Sequence, residues 1–362
     1  MITAYSLGLG GIEKALINLL QLLDKEKYEI TLVLEKKEGI FLEQLPKEVQ
    51  VVEYHVHDDK NPLIRKIKNR FQLLTWKMRH KNQYDFAISF TTYSRPGAHI
   101  ALNASRHNAL WIHNNYEQIY EGDVSKIKEF FQVIQAKKFQ HLVFVSHDNL
   151  EAVCKYIPQF KKKSFVCNNI IDYKTMWESA KKEISISKKK VTFLNVGRHE
   201  EHQKRLSRII ESCDRLIQEK YDFQVWFLGD GVDTKRYLQM VSDKGLEDVI
   251  LFLGKKENPF PYYEACDCVL LSSQYEGYPV VFVEAMTMGR PLVTTKVSDY
   301  REVEDAFGIV IENSEEGVYR GMREFLDHGY HLEAKFDPEQ FNQDILGKLN
   351  QLIEGDFYEK KD

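Results

Sequence analysis

A pair of α/β domains, each a doubly wound parallel sheet, is the fold class that the chain predicts. Three features lead there. Short apolar runs alternate with segments of helical spacing from one end to the other, and parallel strands need such crossover helices between them. At 362 residues the chain is long enough for two cores of ordinary size. A polar, Lys-rich stretch at Tyr173–Lys190 interrupts the alternation once and separates two series of strands. The expected organisation is a first domain over residues 1–170, a second over 171–336, and a terminal helical segment, 337–362, that packs back across the first.

The elements follow in order. Met1-Ile2-Thr3-Ala4-Tyr5-Ser6 leads at once into the glycine-rich Leu7-Gly8-Leu9-Gly10-Gly11-Ile12-Glu13. The first strand is therefore expected to be cut short, as an internal start codon would leave it, and a short central strand should cost stability. After the helix Ile12–Leu23, strands are expected at Ile30–Leu34, Val49–Tyr54, Phe86–Phe90, Ala109–Ile112, Leu142–Val145 and Ser164–Cys167. Between Val49–Tyr54 and Phe86–Phe90 lies Lys60–Lys81, which carries eight Lys or Arg, no acid, and Leu63, Ile67, Phe71, Leu74 and Met78 at helical spacing. This is a basic amphipathic helix. Its apolar stripe is expected to face the domain core with a basic outer surface; the alternative is a helix lying on an anionic membrane. The second series of strands is Val191–Val196, Gln224–Leu228, Ile250–Leu253, Cys268–Leu271, Leu292–Thr294 and Gly308–Ile311, and Asp337–Glu354 closes the chain in helical pattern.

Composition removes several classes. Hydrophobic residues at 43% with 29% charged describe a globular protein. No apolar run of about 18 residues appears, so no transmembrane helix is expected, and the start lacks a secretory signal pattern. Five cysteines without C-x-x-C spacing read as reduced core thiols of a cytoplasmic protein, not a disulfide frame or zinc site. The net charge of −4 divides unevenly: 25 Lys and Arg against 20 Asp and Glu in residues 1–180, and 25 against 34 in residues 181–362. The basic half suggests an acidic partner, and the acidic half argues against nucleic-acid binding.

The densest chemistry sits in Tyr275-Glu276-Gly277-Tyr278-Pro279-Val280, continued by Val281 through Glu284-Ala285-Met286. A helix from about Pro279 to Met288, opened by a proline at its first turn and closed by Gly289, points its unpaired N–H groups at whatever lies beyond the preceding strand. Glu276 stands before that helix, where it can accept from sugar hydroxyls. Glu284 lies inside it, where it can reach a vicinal diol such as a ribose; the plain alternative is two solvated carboxylates. Asn195-Val196-Gly197-Arg198 ends the first strand of the second series and Lys204 follows six positions after the arginine. Both cations are expected to face the crevice at the strand ends, where they would neutralise a diphosphate; the alternative is a surface loop in which Glu200 and Glu201 pair with them. Gly229-Asp230-Gly231 adds a tight turn at the same edge.

In the first series, His113 ends a strand in Trp111-Ile112-His113-Asn114-Asn115 and is either a structural histidine or a contact to a sugar hydroxyl or reaction centre. Gly8–Gly11 either brings backbone close to a ligand, a phosphate in particular, and delivers it to a helix start, or makes only a tight turn. It is not a dinucleotide fingerprint, because the third glycine would fall on Glu13. His199 and His202 lack companions for a metal site, and no Asp-x-Asp occurs. A metal-held diphosphate is not expected, and no metal or other cofactor is assigned.

In order and spacing, Gly10-Gly11-Ile12-Glu13, Trp111-Ile112-His113, Val145-Ser146, Asn168-Asn169-Ile170-Ile171-Asp172, Val196-Gly197-Arg198 with Lys204, Gly229-Asp230-Gly231 and Glu276-Gly277-Tyr278-Pro279 through Glu284 resemble the retaining glycosyltransferases of family four. More narrowly they resemble bacterial enzymes that build capsular, cell-wall or exopolysaccharide units on a lipid carrier. The resemblance covers most of the chain and implies the GT-B fold, two Rossmann-like domains facing a cleft. It implies a nucleotide-sugar donor, UDP-linked in the first instance, and a glycan or polyprenyl-linked acceptor. Glu284 would bind ribose, and Glu276 the transferred sugar, with backbone N–H groups of Gly277, Tyr278, Pro279's neighbour Val280 and their turn near the sugar and phosphates. Arg198 and Lys204 would take the charge of the departing diphosphate, Gly10 and Gly11 would approach the same phosphates, and His113 would stand near the anomeric carbon. Retention comes from the resemblance alone. The chain departs from the family at the short first strand and at Lys204-Arg205, where Lys-Gly is commoner, which leaves the local turn open. Two other classes stay open: a non-catalytic glycosyltransferase-like partner subunit and a nicotinamide-dependent oxidoreductase.

Overall fold

The computed structural model describes residues 1–8, 10–186, 188, 190–304 and 306–355. The chain divides into two compact units, Met1–Ile171 together with the segment from Gln340, and Asp172–Glu339.

The first unit holds a seven-stranded parallel sheet in the order β3-β2-β1-β4-β5-β6-β7. Its strands are β1 (Ile2–Ala4), β2 (Thr31–Leu34), β3 (Gln50–Glu53), β4 (Ala87–Ser89), β5 (Asn108–Ile112), β6 (His141–Phe144) and β7 (Ser164–Val166). The strand β1 is three residues long, the same length as β4 and β7, and it lies between β2 and β4, with Ile2 in register with both Leu32 and Ile88. All three residues are buried. The helix Gly11–Leu22 follows one side of this sheet, and Phe131, Phe139, Phe144 and Phe160 fill the core on another. The helix Pro338–Glu354 joins this unit through Asn342, whose amide accepts from Ile171 N at 3.1 Å and donates to Ile171 O at 2.6 Å.

One element departs from expectation. The helix Pro62–His80 forms, capped by Asn61, but none of its residues is buried. Its apolar stripe faces outward: Leu63, Ile67, Phe71 and Met78 are each more than two-thirds exposed, and Leu74 is half exposed. The inward face is another line, Asn69, Leu73, Trp76 and His80. Asn69 clamps the backbone of His57 at 2.8 and 3.0 Å, and Trp76 meets Tyr54 edge-on with ring centroids 5.4 Å apart. These contacts fix the rotation of the helix, so the sequence stripe is left outside. Among the described residues no helix is long and apolar enough to cross a membrane.

The second unit holds a six-stranded parallel sheet in the order β10-β9-β8-β11-β12-β13. Its strands are β8 (Val191–Val196), β9 (Phe223–Leu228), β10 (Ile250–Gly254), β11 (Cys268–Leu271), β12 (Leu292–Thr295) and β13 (Gly308–Ile311). The chain runs outward from β8 to β10, then returns to β11 on the other side of β8. That reversal opens a crevice beyond the carboxyl ends of β8 and β11, where open α/β sheets bind ligands. All five cysteines are buried free thiols.

Candidate functional site

The exit of β8 is fastened to that of β9. Gly197 N donates to Leu228 O at 3.1 Å, and a Cβ on Gly229 would overlap the Gly197 carbonyl, so glycine is required for this approach. His199 is buried and donates its backbone N–H to Asp230 O at 3.1 Å, while its Nδ1 lies 2.9 Å from Thr234 Oγ1. His202 instead meets the Tyr275 hydroxyl at 3.2 Å, so the two histidines serve separate partners. The Asp230 carboxylate accepts from Thr234 Oγ1 at 2.6 Å and Gly231 N at 2.8 Å, bonds that hold its pKa below the usual value. This turn is a brace for Arg198, which stands between its two ends.

A single turn of helix, Glu201–Lys204, then carries Lys204 into the crevice. It ends because Arg205 adopts the left-handed conformation, φ 52° and ψ 42°, before the helix Leu206–Gln218 begins. The turn that glycine would make is therefore made, with an arginine. Ser272, just beyond β11, secures it by donating to Lys204 O at 2.8 Å and Arg205 O at 3.1 Å.

Lys204 Nζ lies 2.6 Å from Glu276 Oε1, and the side chains are only 18% and 8% exposed. Ser273 Oγ donates to the same oxygen at 2.7 Å, and Gln203 Nε2 reaches Oε2 at 3.3 Å. Ser298 Oγ holds the Glu276 carbonyl at 2.9 Å. Glu276 is thus a buried, charge-compensated carboxylate and not a solvated one. Arg198 is different: its side chain is 71% exposed, 3.4 Å from Glu200 and 3.1 Å from Gln203 Oε1. Pairing with the following acids therefore holds for Arg198, while Lys204 turns away from them to Glu276.

The helix after this turn is Val280–Thr287, shorter than expected at both ends. Pro279 is its extended cap, with ψ 100°, and not its first helical residue. The first helical amides, at Val280 and Val281, have no partners within the helix. Tyr278 faces away from the crevice: its buried hydroxyl donates to Glu302 at 2.7 Å, so only its backbone is available for a ligand. Glu284 accepts from the buried Tyr263 hydroxyl at 2.6 Å; burial, with this carboxylate beside it, raises the Tyr263 pKa well above the ordinary value. Gly289, at φ 63°, ends the helix as expected. Sequence reasoning missed Ser273, Gln203, Ser298 and Tyr263. The Ser272-Ser273 pair directly after an apolar strand was a usable signal; nothing local marks the others.

Three candidates lie in the first unit. His113 is buried against Phe90, with ring centroids 4.6 Å apart, and burial lowers its pKa to about 3. Neither ring nitrogen completes a well-formed hydrogen bond among the described residues, and a backbone contact from Phe90 only partly opposes the lowering, which leaves a neutral imidazole able to take a ligand. Gly10 caps the helix Gly11–Leu22 with extended backbone, and the Glu13 carboxylate stands against it.

Residues 177–343 match the model of the family described as Glycosyl transferases group 1. The match spans just under half of the chain and lies almost entirely in the second unit. It is 25% identical to the N-acetylgalactosamine-N,N'-diacetylbacillosaminyl-diphospho-undecaprenol 4-alpha-N-acetylgalactosaminyltransferase of Campylobacter jejuni, over 95% of this chain and 97% of that one. It is 28% identical to the N-acetyl-alpha-D-glucosaminyl L-malate synthase of Bacillus anthracis, over 44% of this chain and 42% of the relative. Among solved structures it is similar to Anabaena HepE in complex with UDP, at TM-score 0.73 and 17% identity, covering 97% and 99% of the two chains. It is similar also to S. aureus TarM with UDP, at TM-score 0.74 and 14% identity, again covering 97% and 99%. The protein is a glycosyltransferase of GT-B fold, which sets the oxidoreductase alternative aside.

The left-handed Arg205 gives a prediction. Such a conformation costs an L-residue about 1–2 kcal/mol, of which glycine's extra chain entropy takes back about 0.5–1 kcal/mol. Arg205→Gly should raise unfolding stability by about 0.5–1 kcal/mol in urea titrations. A loss would mean that the Arg205–Glu201 pair, at 3.6 Å, outweighs the relief of the backbone.

Proposed function

We propose that this glycosyltransferase moves a hexose-type sugar from a nucleotide-diphosphate donor, a UDP-sugar in the first instance, to a hydroxyl of a glycan or polyprenyl-linked acceptor. Transfer proceeds with retention, in the building of surface polysaccharide such as a capsule. The observation that carries the donor side is the buried Lys204–Glu276 pair with Arg198 beside it, set at the carboxyl ends of β8 and β11. Two cations meet there with a carboxylate. A leaving diphosphate needs the first; a sugar held by its hydroxyls needs the second.

In this reading Arg198 and Lys204 take up the negative charge that grows on the diphosphate as the glycosidic bond breaks. Charges fixed in advance of reaction are worth several kcal/mol of barrier. They do so in place of a metal ion. Glu276 accepts from sugar hydroxyls, Glu284 from the ribose diol, and the amides of the Gly277–Val280 turn face the sugar and phosphates. The roles of Gly10, Gly11 and His113 rest on the resemblance: the glycines for the phosphates, and a neutral imidazole for a sugar hydroxyl. The names of the C. jejuni relative, which is a transferase on a diphospho-undecaprenol-linked sugar, and of the UDP-bound HepE and TarM structures support the choice of acceptor and nucleotide. The full set of Arg198, Lys204, Glu276 and Glu284 speaks for an active enzyme over a silent partner subunit.

The helix Pro62–His80 supplies the acceptor's setting. At 100° per residue its outward stripe of Leu63, Ile67, Phe71, Leu74 and Met78 spans less than a quarter of the circumference. Lys66, Arg70 and Lys77 flank it on one side, and Lys68 and Arg79 on the other. An exposed apolar stripe between two rows of cations fits an anionic lipid surface, with the apolar groups in the headgroup boundary and the cations at the phosphates. The protein then works as a peripheral enzyme on the inner face of the cell membrane.

Two measurements follow. A thermal-shift screen against UDP-, GDP- and ADP-sugars should show a rise with one nucleotide class, and Arg198→Ala should lower turnover on it by on the order of 10². Wild-type turnover in that variant at saturating donor removes Arg198 from the role. In cosedimentation, vesicles of phosphatidylcholine and phosphatidylglycerol should bind the protein and release it in salt. Replacing Arg70 and Lys77 together by Gln should weaken binding by about 30-fold, since each surface cation is worth about 1 kcal/mol. Binding that neither salt nor these substitutions change counts against the membrane contact.

A further inference from the structure

One half-buried side chain at the centre of the second unit's site has no role in the donor reading. Gln203 precedes Lys204 and touches both sides of the site. Its Oε1 accepts from Arg198 Nη2 at 3.1 Å. Its Nε2 lies 3.3 Å from Glu276 Oε2 and 3.3 Å from the Tyr275 carbonyl. Its own carbonyl accepts from Gln274 N at 2.7 Å, so the backbone beneath the side chain is pinned to the loop after β11.

The partners fix the amide's direction. A guanidinium only donates and an ionised carboxylate only accepts, so the oxygen must face Arg198 and the nitrogen Glu276. No other side chain of this length does both. Glutamate would set a second carboxylate against Glu276, lysine would oppose Arg198, and methionine would satisfy neither.

We propose that Gln203 is a positioning residue that couples Arg198 to Glu276 and so fixes the separation between the diphosphate-binding cation and the sugar-binding carboxylate. The proposal rests on the donor-site reading above. Arg198 needs a tether, because its side chain is 71% exposed and its ion pair with Glu200, at 3.4 Å, is of the exposed kind that contributes little. Lys204 does not need one, being held by Glu276 at 2.6 Å. A loosened guanidinium can still follow a bound diphosphate, but it is no longer in place when charge develops, and misplacement near the chemistry is costly to rate. Gln203 therefore acts on turnover more than on donor affinity.

The experiment compares wild type, Gln203→Met, Arg198→Ala and the double variant on the nucleotide-sugar that the thermal screen selects, with thermal midpoints measured alongside. Gln203→Met should lower kcat about 10-fold and change KM for the donor less than about threefold, and the double variant should be no slower than Arg198→Ala alone. Gln203→Glu, which keeps the shape if the methionine variant folds poorly, adds a pH signature. It should be slow at pH 8 and recover as pH falls toward 6, because a protonated acid again donates to Glu276, while Gln203→Met stays flat relative to wild type. A wild-type protein that turns over no nucleotide-sugar overturns the donor reading and Gln203's part with it. A Gln203→Met that turns over at the wild-type rate, or losses that multiply in the double variant, overturn the positioning role alone.

Discussion

The second unit is organised around one ion pair. Lys204 and Glu276 come from two different crossovers of the sheet, 72 residues apart in the chain, and meet at 2.6 Å almost out of solvent. Such a pair gives little net stability, because desolvation offsets the attraction, but removing either partner strands a buried charge at a cost of about 3–5 kcal/mol. The local structure keeps the two together. The Gly197–Gly229 backbone contact sets the end of β8, Ser272 holds the turn at Lys204 and Arg205, and Ser273 and Ser298 hold Glu276. The cost of these arrangements, including a left-handed arginine, is understandable if the pair is kept for a ligand.

Much of the fold was legible because its signals are local and repeated. Apolar runs of three to six residues separated by helical spacing mark the strands of both sheets other than the short β1, and the reversal at β8 and β11 then places Arg198, Lys204 and Glu276 at one edge. Gly289 signalled its helix end because only a positive φ makes that turn. What was not legible depended on partners distant in sequence. Whether Glu276 is solvated or paired is decided by Lys204, and whether the Leu63–Met78 stripe points in or out is decided by Asn69 and Trp76 meeting His57 and Tyr54. Periodicity identifies an apolar face without saying what covers it. Pro279 is the cap of its helix where the sequence suggests the first turn, since a proline's fixed φ suits both positions.

The two units carry different chemistry. The first keeps its polar potential at His113, a neutral imidazole able to take a ligand, and its charge on an outward helix. The second keeps a compensated charge cluster inside a crevice. The uneven net charge of the two halves of the sequence follows this division, with the cations of residues 60–81 giving the first half its excess.

On the donor-site reading, the Lys204–Glu276 pair is a preformed diphosphate site in which the carboxylate holds the ammonium until phosphate takes it. Calorimetric titration with UDP alone, which lacks the sugar, tests it most directly. A charge-assisted bond to phosphate is worth about 1.5–3 kcal/mol, so Lys204→Met should bind UDP about 10- to 100-fold more weakly than wild type, while Glu276→Gln, which frees the ammonium, should bind at least as tightly. Equal affinity of Lys204→Met and wild type would mean that Lys204 makes no contact with the diphosphate.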